Sequence, residues 1–368
     1  MKVLFVSHVA NFQKFNNPYI RWLQQRGVQV YYASSDDEPM EAADHFQKVD
    51  FHRAPFDPRN IKAFFQLVRL FKAEQFDLIH CHTPIGGFLT RLASVFVPKT
   101  KIMYTVHGFH FYKGAPLKNI LIYKTAERLM AHRTDALITI NREDYEAAQD
   151  FRLKRGGRLY YLNGVGVDTA AVRSACADTA MLRSELGIKE NEFVVLTVAE
   201  LIPRKNYDTA LEAFAKADIP GSRYLICGRG GEEERLKEKC KALGIDKKVI
   251  FLGYRRDIYR IIGISDVFLF TSHQEGLPIA VIEAMAGGLP CIVSDIRGND
   301  QLVNEKNGFI LHKNDADGFS RRLKELYASP EKRRAMGEWS EKMAEEYDLS
   351  YALEDMGRIY SEYIDIKP

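Results

Sequence analysis

The chain alternates two kinds of segment, and it does so twice. Short apolar runs rich in β-branched residues lie at 3–6, 28–32, 78–81, 102–106 and 136–139. Longer stretches of helical periodicity separate them, among them 61–73, 88–95 and 117–131. The pattern restarts at 193–198 and continues through 223–227, 249–252, 267–270 and 291–293, with helical stretches at 208–217, 232–243 and 277–286. A strand that reads as unbroken apolar residues is buried on both faces, and an intervening helix supplies the crossover that a parallel sheet needs. The sequence therefore predicts two doubly wound, Rossmann-like parallel-sheet α/β domains in tandem, facing a central cleft. A length of 368 residues accommodates two domains of roughly 100–200 residues each.

The first domain is placed at 1–170 and the second at 186–345. The join runs across 163–190, where Asn163-Gly164-Val165-Gly166-Val167-Asp168 is turn-rich and no strand pattern follows. Residues 330–366 read as two helices with no strand after them. In the last of these, Met356, Tyr360 and Tyr363 share one stripe with Ile359 beside it, so the 346–368 helix needs a surface to cover. Periodicity does not say which domain it covers; the expectation taken forward is the N-terminal one.

Several classes are excluded. A content of 46% hydrophobic and 27% charged residues is that of a globular protein, not of a disordered, collagenous or coiled-coil chain. Cys81, Cys176, Cys227, Cys240 and Cys291 are scattered and form no CxxC pair, which argues against a zinc ribbon or a disulfide framework and for a reducing, cytoplasmic setting. The first apolar run is too short for a signal peptide, and no stretch approaches the roughly 18 apolar residues of a membrane span. Membrane contact is therefore expected to be peripheral, at the inner face. Net charge is +3, but residues 51–133 hold 13 basic and 4 acidic side chains. Such an imbalance suits an anionic partner, although a solvated face explains it equally well. Within it, 109–133 is basic and aromatic, with Phe109, Phe111, Tyr112, Tyr123, Lys118, Lys124 and Arg128. That composition points to an anionic lipid surface or a polyprenyl diphosphate. No nucleic-acid module accompanies it, and nucleic acid is not expected as a partner.

The most informative segment, 272–288, reads SHQEGLPIAVIEAMAGG and follows the strand at 267–270. Pro278 suits the first turn of a helix and Gly287 the cap that ends it. A helix N-terminus at a ligand-binding edge offers free N–H groups, and Gly276 allows backbone to approach a ligand. Glu275 and Glu283 have seven residues between them. Carboxylates accept hydrogen bonds from sugar hydroxyls, but spacing alone equally allows a surface Glu and an ordinary helical Glu. Arg204 and Lys205 occupy the strand-to-helix turn after 193–198, where two cations can meet a diphosphate.

These residues, in their frame, resemble the EX7E signature of GT-B glycosyltransferases of family 4. The likeness extends to VAELIPRKN at 198–206 and FLGYRRDI at 251–258, and to the strand ends DLIHCH at 77–82 and TVHGFHF at 105–111. The nearest likeness is to bacterial enzymes of capsule and exopolysaccharide assembly. The resemblance implies a retaining enzyme that moves a hexose or N-acetylhexosamine from a nucleotide sugar, UDP-linked by the family's habit, to a saccharide hydroxyl on a lipid-linked acceptor. It implies that Arg204 and Lys205 neutralise the donor diphosphate, that Glu283 holds the ribose, and that Glu275 with the backbone of Gly276, Leu277, Pro278 and Ile279 holds the sugar. It places Gly228, Tyr254 and Arg256 near the nucleotide and His107 on the donor sugar. No residue is expected to act as nucleophile, and no metal or other cofactor is expected.

Gly228-Arg229-Gly230-Gly231 lacks the third glycine of a dinucleotide fingerprint, and Glu232, Glu233 and Glu234 follow it, so NAD is rejected. Asp315-Ala316-Asp317 matches the metal-binding DxD pattern of another glycosyltransferase fold, yet it stands where a helix N-cap is expected. Four histidines at 80–110 lack tight ligand spacing, and a metal site is rejected. The family's glycine pair after the first strand is absent; His8, Asn11 and Phe12 are the acceptor-side candidates there, with His82 and His110. The rival readings are a nucleotide-sugar epimerase of the same fold and a sugar-nucleotide binder without turnover.

Overall fold

The computed structural model describes residues 1–9, 13–37, 42–54, 57–177, 179 and 181–367. The chain forms two compact units. One comprises Met1–Gly166 with Ser350–Pro368, and the other comprises Val167–Leu349.

Among the described residues, the first unit holds seven strands: β1 (Lys2–Val6), β2 (Gln29–Ser34), β3 (His45–Lys48), β4 (Leu78–His82), β5 (Lys101–Val106), β6 (Ala136–Thr139) and β7 (Arg158–Tyr161). They lie in the order β3-β2-β1-β4-β5-β6-β7, every pair parallel. The described residues of the second unit hold six: β8 (Phe193–Val198), β9 (Ser222–Cys227), β10 (Val249–Gly253), β11 (Val267–Phe270), β12 (Cys291–Ser294) and β13 (Gly308–Leu311). Their order is β10-β9-β8-β11-β12-β13, again all parallel. Strand order reverses between β1 and β4 and between β8 and β11. The carboxyl ends beside such a reversal are where open α/β sheets bind ligands.

Ten of these strands carry the apolar runs of the sequence. The three without a predicted counterpart, β3, β7 and β13, are all at sheet edges. An edge strand has less to bury; β3 reads His-Phe-Gln-Lys and is mostly exposed, so it shows no continuous apolar run.

The central strands are sandwiched. In the first unit Leu4, Val6, Ile79, Cys81, Ile102 and Tyr104 face the helices Asn60–Glu74, Pro84–Ala93 and Leu117–Ala131. The terminal helix Leu349–Ser361 also packs within this unit. Gly357 sits against the Trp22 ring, where an added Cβ would lie 2.6 Å from the indole, and the Tyr360 hydroxyl hydrogen-bonds His80 Nδ1 at 2.8 Å. In the second unit, Val195, Tyr224, Ile226, Leu269 and Ile292 pack with Leu211, Phe214, Phe319 and Leu323. The two ends of that unit are tied together, with Val167 N–H donating to Tyr347 C=O and Leu349 N–H donating to Val167 C=O. Among the described residues, no helix is long and apolar enough to cross a membrane.

Candidate active site

In the second unit, the site is assembled at the carboxyl ends of β8 and β11, the two strands that flank the reversal. The loop after β8 makes a short 3-10 turn, Pro203–Lys205, and Asn206 follows it with φ +51. Asparagine tolerates this left-handed conformation better than most residues. Its buried side-chain amide donates to Thr271 C=O at 3.1 Å and Lys313 C=O at 2.7 Å, so one residue ties the β8 loop to the β11 loop.

That tie brings the cations to the carboxylate. Glu275 Oε1 lies 2.7 Å from Lys205 Nζ and 2.9 Å from Arg204, and it accepts a 2.6 Å hydrogen bond from the Ser272 hydroxyl. Arg204 also donates to Gln274 C=O at 2.6 Å. The side chains of Glu275 and Lys205 are 10% and 12% exposed, whereas Arg204 is 38% exposed. Burial by itself raises a carboxyl pKa. Here the charges of Lys205 and Arg204, with hydrogen bonds from Lys205 and Ser272, outweigh it and hold Glu275 below its ordinary value. Burial, reinforced by Arg204, lowers the Lys205 ammonium, and Glu275 opposes that shift. Two cations on one ionised carboxylate leave a net positive charge in a poorly solvated place, which is what a diphosphate requires.

The β11 loop continues into the helix Ile279–Ala286. Pro278 is the residue before that helix, at φ −78 and ψ 108, and not part of its first turn. The pyrrolidine offers no cap, and the first turn carries no acidic side chain, so the positive end of the helix is not neutralised from within. Leu277 and Pro278 are buried; Gly276 and Ile279 are half-buried. At the other end Gly287 is the cap with φ −89, and Gly288 takes the left-handed φ of +76. Glu283 is buried inside the helix and accepts a 3.3 Å hydrogen bond from Tyr259, whose phenol burial and this carboxylate together push up.

Gly228 follows β9 at φ +153. An added Cβ would come within 1.8 Å of Ala199 C=O, and one at Gly230 within 2.2 Å of Leu201 C=O. These glycines let the β9 loop lie directly on the β8 loop. Glu232 and Glu233 are taken up by Arg235 and Lys237. Tyr254 and Arg256 are both exposed just beyond β10, while Arg255 is bound to Asp257. Asp315 caps the helix Ala316–Ala328 by accepting from Gly318 N–H, and Asp317 pairs with Lys216, so the DxD pattern is a helix start.

Sequence reasoning missed Ser272, Asn206 and Arg297. Arg297 is 8% exposed and donates to Glu275 C=O at 3.0 Å, fixing the backbone that carries the carboxylate. Ser272 had a signal, its position three residues before a glutamate. Arg297 had none, because its contact crosses from the loop after β12.

In the first unit the candidates gather at the ends of β1, β4 and β5. His82 Nδ1 and His107 Nε2 are 3.1 Å apart, and the His80 and His82 rings are 4.2 Å apart. His80 is engaged at both nitrogens, by Tyr360 and by Thr105 at 2.8 Å. Burial pushes His80 and His107 down to about 3 and His82 well below its ordinary value, so this cluster is neutral at physiological pH. His8 follows β1, with its N–H donating to Thr83 Oγ1 at 3.2 Å; burial and Arg53 lower it as well. His110 stands apart against Tyr123, ring centroids 4.8 Å apart. Asn11 and Phe12 lie outside the described residues. The segment after β1 is approached closely by Gly86 of the helix Pro84–Ala93: an added Cβ there would lie 3.3 Å from Ser7 Cα and 3.4 Å from His8 N. Two of the four aromatic residues of the 109–133 segment are not on the surface, while Tyr112 and Tyr123 are half-buried. Phe109 and Phe111 are 2% and 6% exposed and stack on each other in the core, because the chain folds inward after β5.

Residues 178–343 match the family described as Glycosyl transferases group 1, and residues 2–141 match Glycosyl transferase 4-like. The putative glycosyltransferase EpsD of Bacillus subtilis is 37% identical over 99% of this chain and 97% of its own length. An Escherichia coli enzyme named UDP-Gal:alpha-D-GlcNAc-diphosphoundecaprenol alpha-1,3-galactosyltransferase is 34% identical over 71% of this chain and 69% of its own. Among solved structures, Anabaena Alr3699/HepE in complex with UDP and glucose superposes with a TM-score of 0.82 at 19% identity, covering 98% of this chain and 100% of that one.

Proposed function

The chain belongs to the group 1 glycosyl transferases and has the GT-B fold, and we propose that it transfers a sugar, with retention, from a UDP-sugar to a hydroxyl of a polyprenyl-diphosphate-linked saccharide in bacterial surface polysaccharide synthesis. The observation that carries this reading is the Glu275 carboxylate held by Lys205, Arg204 and Ser272 at the reversal of the second sheet. The UDP in the solved neighbour and the diphosphoundecaprenol acceptor in the relative's name support the choice of donor and acceptor.

In this reading Lys205 and Arg204 bind the diphosphate and stabilise the charge that grows on it as the bond to the anomeric carbon breaks. The uncapped amides at the start of the Ile279–Ala286 helix add to that stabilisation. Glu275 accepts from sugar hydroxyls, with Gly276, Leu277, Pro278 and Ile279 presenting backbone, and Glu283 takes the ribose. Gly228, Tyr254 and Arg256 lie along the nucleotide. His107, neutral and positioned by His82, takes a sugar hydroxyl; His8 and His110 serve the acceptor. The acceptor oxygen forms the new glycosidic bond on the face the diphosphate leaves, and its proton passes to the departing phosphate oxygen. No side chain becomes covalently attached, and the two cations supply the positive charge without a bound metal. Catalysis then rests on positioning and charge stabilisation.

The test is melting in the presence of UDP, GDP, ADP or NAD⁺, each with and without EDTA. A ligand at 100 times its Kd stabilises by about 2.7 kcal/mol. A shift with UDP that EDTA leaves unchanged is expected. A shift with GDP or ADP instead reassigns the donor, and no nucleotide shift overturns the site.

A further inference from the structure

The helices Asn60–Glu74, Pro84–Ala93 and Leu117–Ala131 form one layer on the first sheet, joined through a common core. A helix packed on a sheet turns its opposite face outward, and here the outward faces are unusually apolar. On the third helix Leu117, Leu121 and Leu129 are 84%, 71% and 61% exposed, and Ala131 is its one buried residue. On the first, Ile61 and Phe65 are each 61% exposed, one turn apart. The short 3-10 turn Ser94–Phe96 that ends the middle helix adds Val95 and Phe96, and Leu92 precedes them. Among the described residues, eight of the fourteen exposed large apolar side chains lie on this one layer. Exposed apolar groups scattered singly need no explanation, but a concentration of this kind marks an interaction surface.

The charges of the same faces are positive. Arg69 and Lys72 are exposed on the first helix and Lys118 and Arg128 on the third. Lys72 lies 5.0 Å over the Phe96 ring. The acidic residues of these two helices are committed elsewhere: Glu74 to Lys2 and Glu127 to the buried Arg91, each at 2.8 Å. Aliphatic side chains flanked by unopposed cations fit a surface that is apolar at depth and anionic at its rim. A second copy of the chain would set these cations against their own like charges. Nucleic acid would gain little from leucines, which offer no stacking face to a base.

We propose that this three-helix face docks on an anionic phospholipid bilayer, with Leu117, Leu121 and Phe65 entering the acyl boundary and Lys118, Arg128, Arg69 and Lys72 meeting the headgroups. This deepens the reading of a lipid-linked acceptor, since it puts the acceptor-side unit where such an acceptor resides. It is independent of the donor-site residues.

The experiment is co-sedimentation of the full chain with vesicles of phosphatidylcholine alone and of phosphatidylcholine mixed with phosphatidylglycerol, with wild type, L121E, F65E and K118E/R128E. Wild type is expected to partition onto the mixed vesicles and not the neutral ones. L121E and F65E each weaken partitioning at least tenfold, and K118E/R128E weakens it at least twentyfold, roughly fivefold for each cation lost. Melting temperature and its shift by UDP stay at wild-type values in all three variants. These substitutions are on exposed positions, so loss of folding is not expected, and the melting curve checks it. Failure of wild type to bind mixed vesicles overturns the proposal, as does equal binding to both vesicle types or undiminished binding of L121E and F65E. A dimer in sedimentation velocity that L121E converts to monomer reassigns the face to self-association and overturns it too. Failure of the UDP shift with intact vesicle binding overturns the donor reading alone.

Discussion

At the strand ends beside β1, β4 and β5, the first unit gathers neutral rings kept uncharged by burial: His80, tied to Tyr360 and Thr105, and the pair His82 and His107. At the equivalent place beside β8 and β11, the second unit gathers ions: Glu275 with Lys205 and Arg204. Strand order reverses there in both sheets, and each brings a neighbouring glycine, Gly86 of the Pro84–Ala93 helix or Gly228 of the β9 loop, against the segment after the central strand. Topology thus fixes the location of the site, while the side chains decide its electrostatics. A neutral cluster suits orientation of hydroxyl groups; a net cationic one suits a diphosphate.

The strongest way to break the comparison is Lys205→Ala. Transfer is expected to fall by roughly 10²–10³-fold or more, with circular dichroism unchanged. The variant also loses about 3 kcal/mol, because Glu275 is left buried with one cation fewer. Lys205→Ala with Glu275→Ala recovers much of that stability and none of the activity. Near wild-type turnover of the single variant at saturating donor sinks the diphosphate assignment.

In the first unit the corresponding change is His82→Ala, which removes the partner at 3.1 Å from His107. A loss in kcat of roughly 10–100-fold is expected from misplacement of His107, with the UDP-induced melting shift retained. Loss of that shift instead would assign His82 a part in nucleotide binding.

Gly228→Ala tests whether the β9 loop is held by packing. The new methyl meets Ala199 C=O, so a cost of about 1–3 kcal/mol is expected, read as a fall in melting temperature of the order of several degrees. A neutral substitution contradicts the geometry.

Acid separates the units by their different groups. The histidines bind protons more weakly folded than unfolded, so the stability they contribute is full above their ordinary 6.5 and is lost as pH falls from there toward about 3. Glu275 is held below its ordinary 4.5, so its contribution persists to lower pH before being lost. Protection from hydrogen exchange, taken relative to the intrinsic amide rate at each pH from 7 to 5, is expected to fall around β4 and β5 before it does around β8 and β11. The reverse order assigns the acid sensitivity to the ion cluster.

The smallest effect is Tyr254→Ala. This side chain is 66% exposed, so stability changes by no more than about 0.5 kcal/mol. A several-fold rise in donor KM is expected if the ring stacks on the base.

Much of this was legible in the chain itself. Apolar runs of β-branched residues revealed ten of the thirteen strands among the described residues, because a strand buried on both faces has no choice of composition. The local order of strand, cation pair and helix, and the glutamates spaced around Pro278, were readable because each belongs to one continuous segment. Three edge strands, β3, β7 and β13, were not, since an edge strand has less to bury, although β10, also at an edge, kept its apolar run. Tertiary structure alone decided the rest. It brought Lys205 onto Glu275 across 70 residues, put Arg297 beneath the Glu275 backbone, folded Phe109 and Phe111 into the core and left leucines outside. Those outcomes depend on which loops and helices become neighbours once the sheets form, and no local pattern encodes a contact between segments that are distant in the chain.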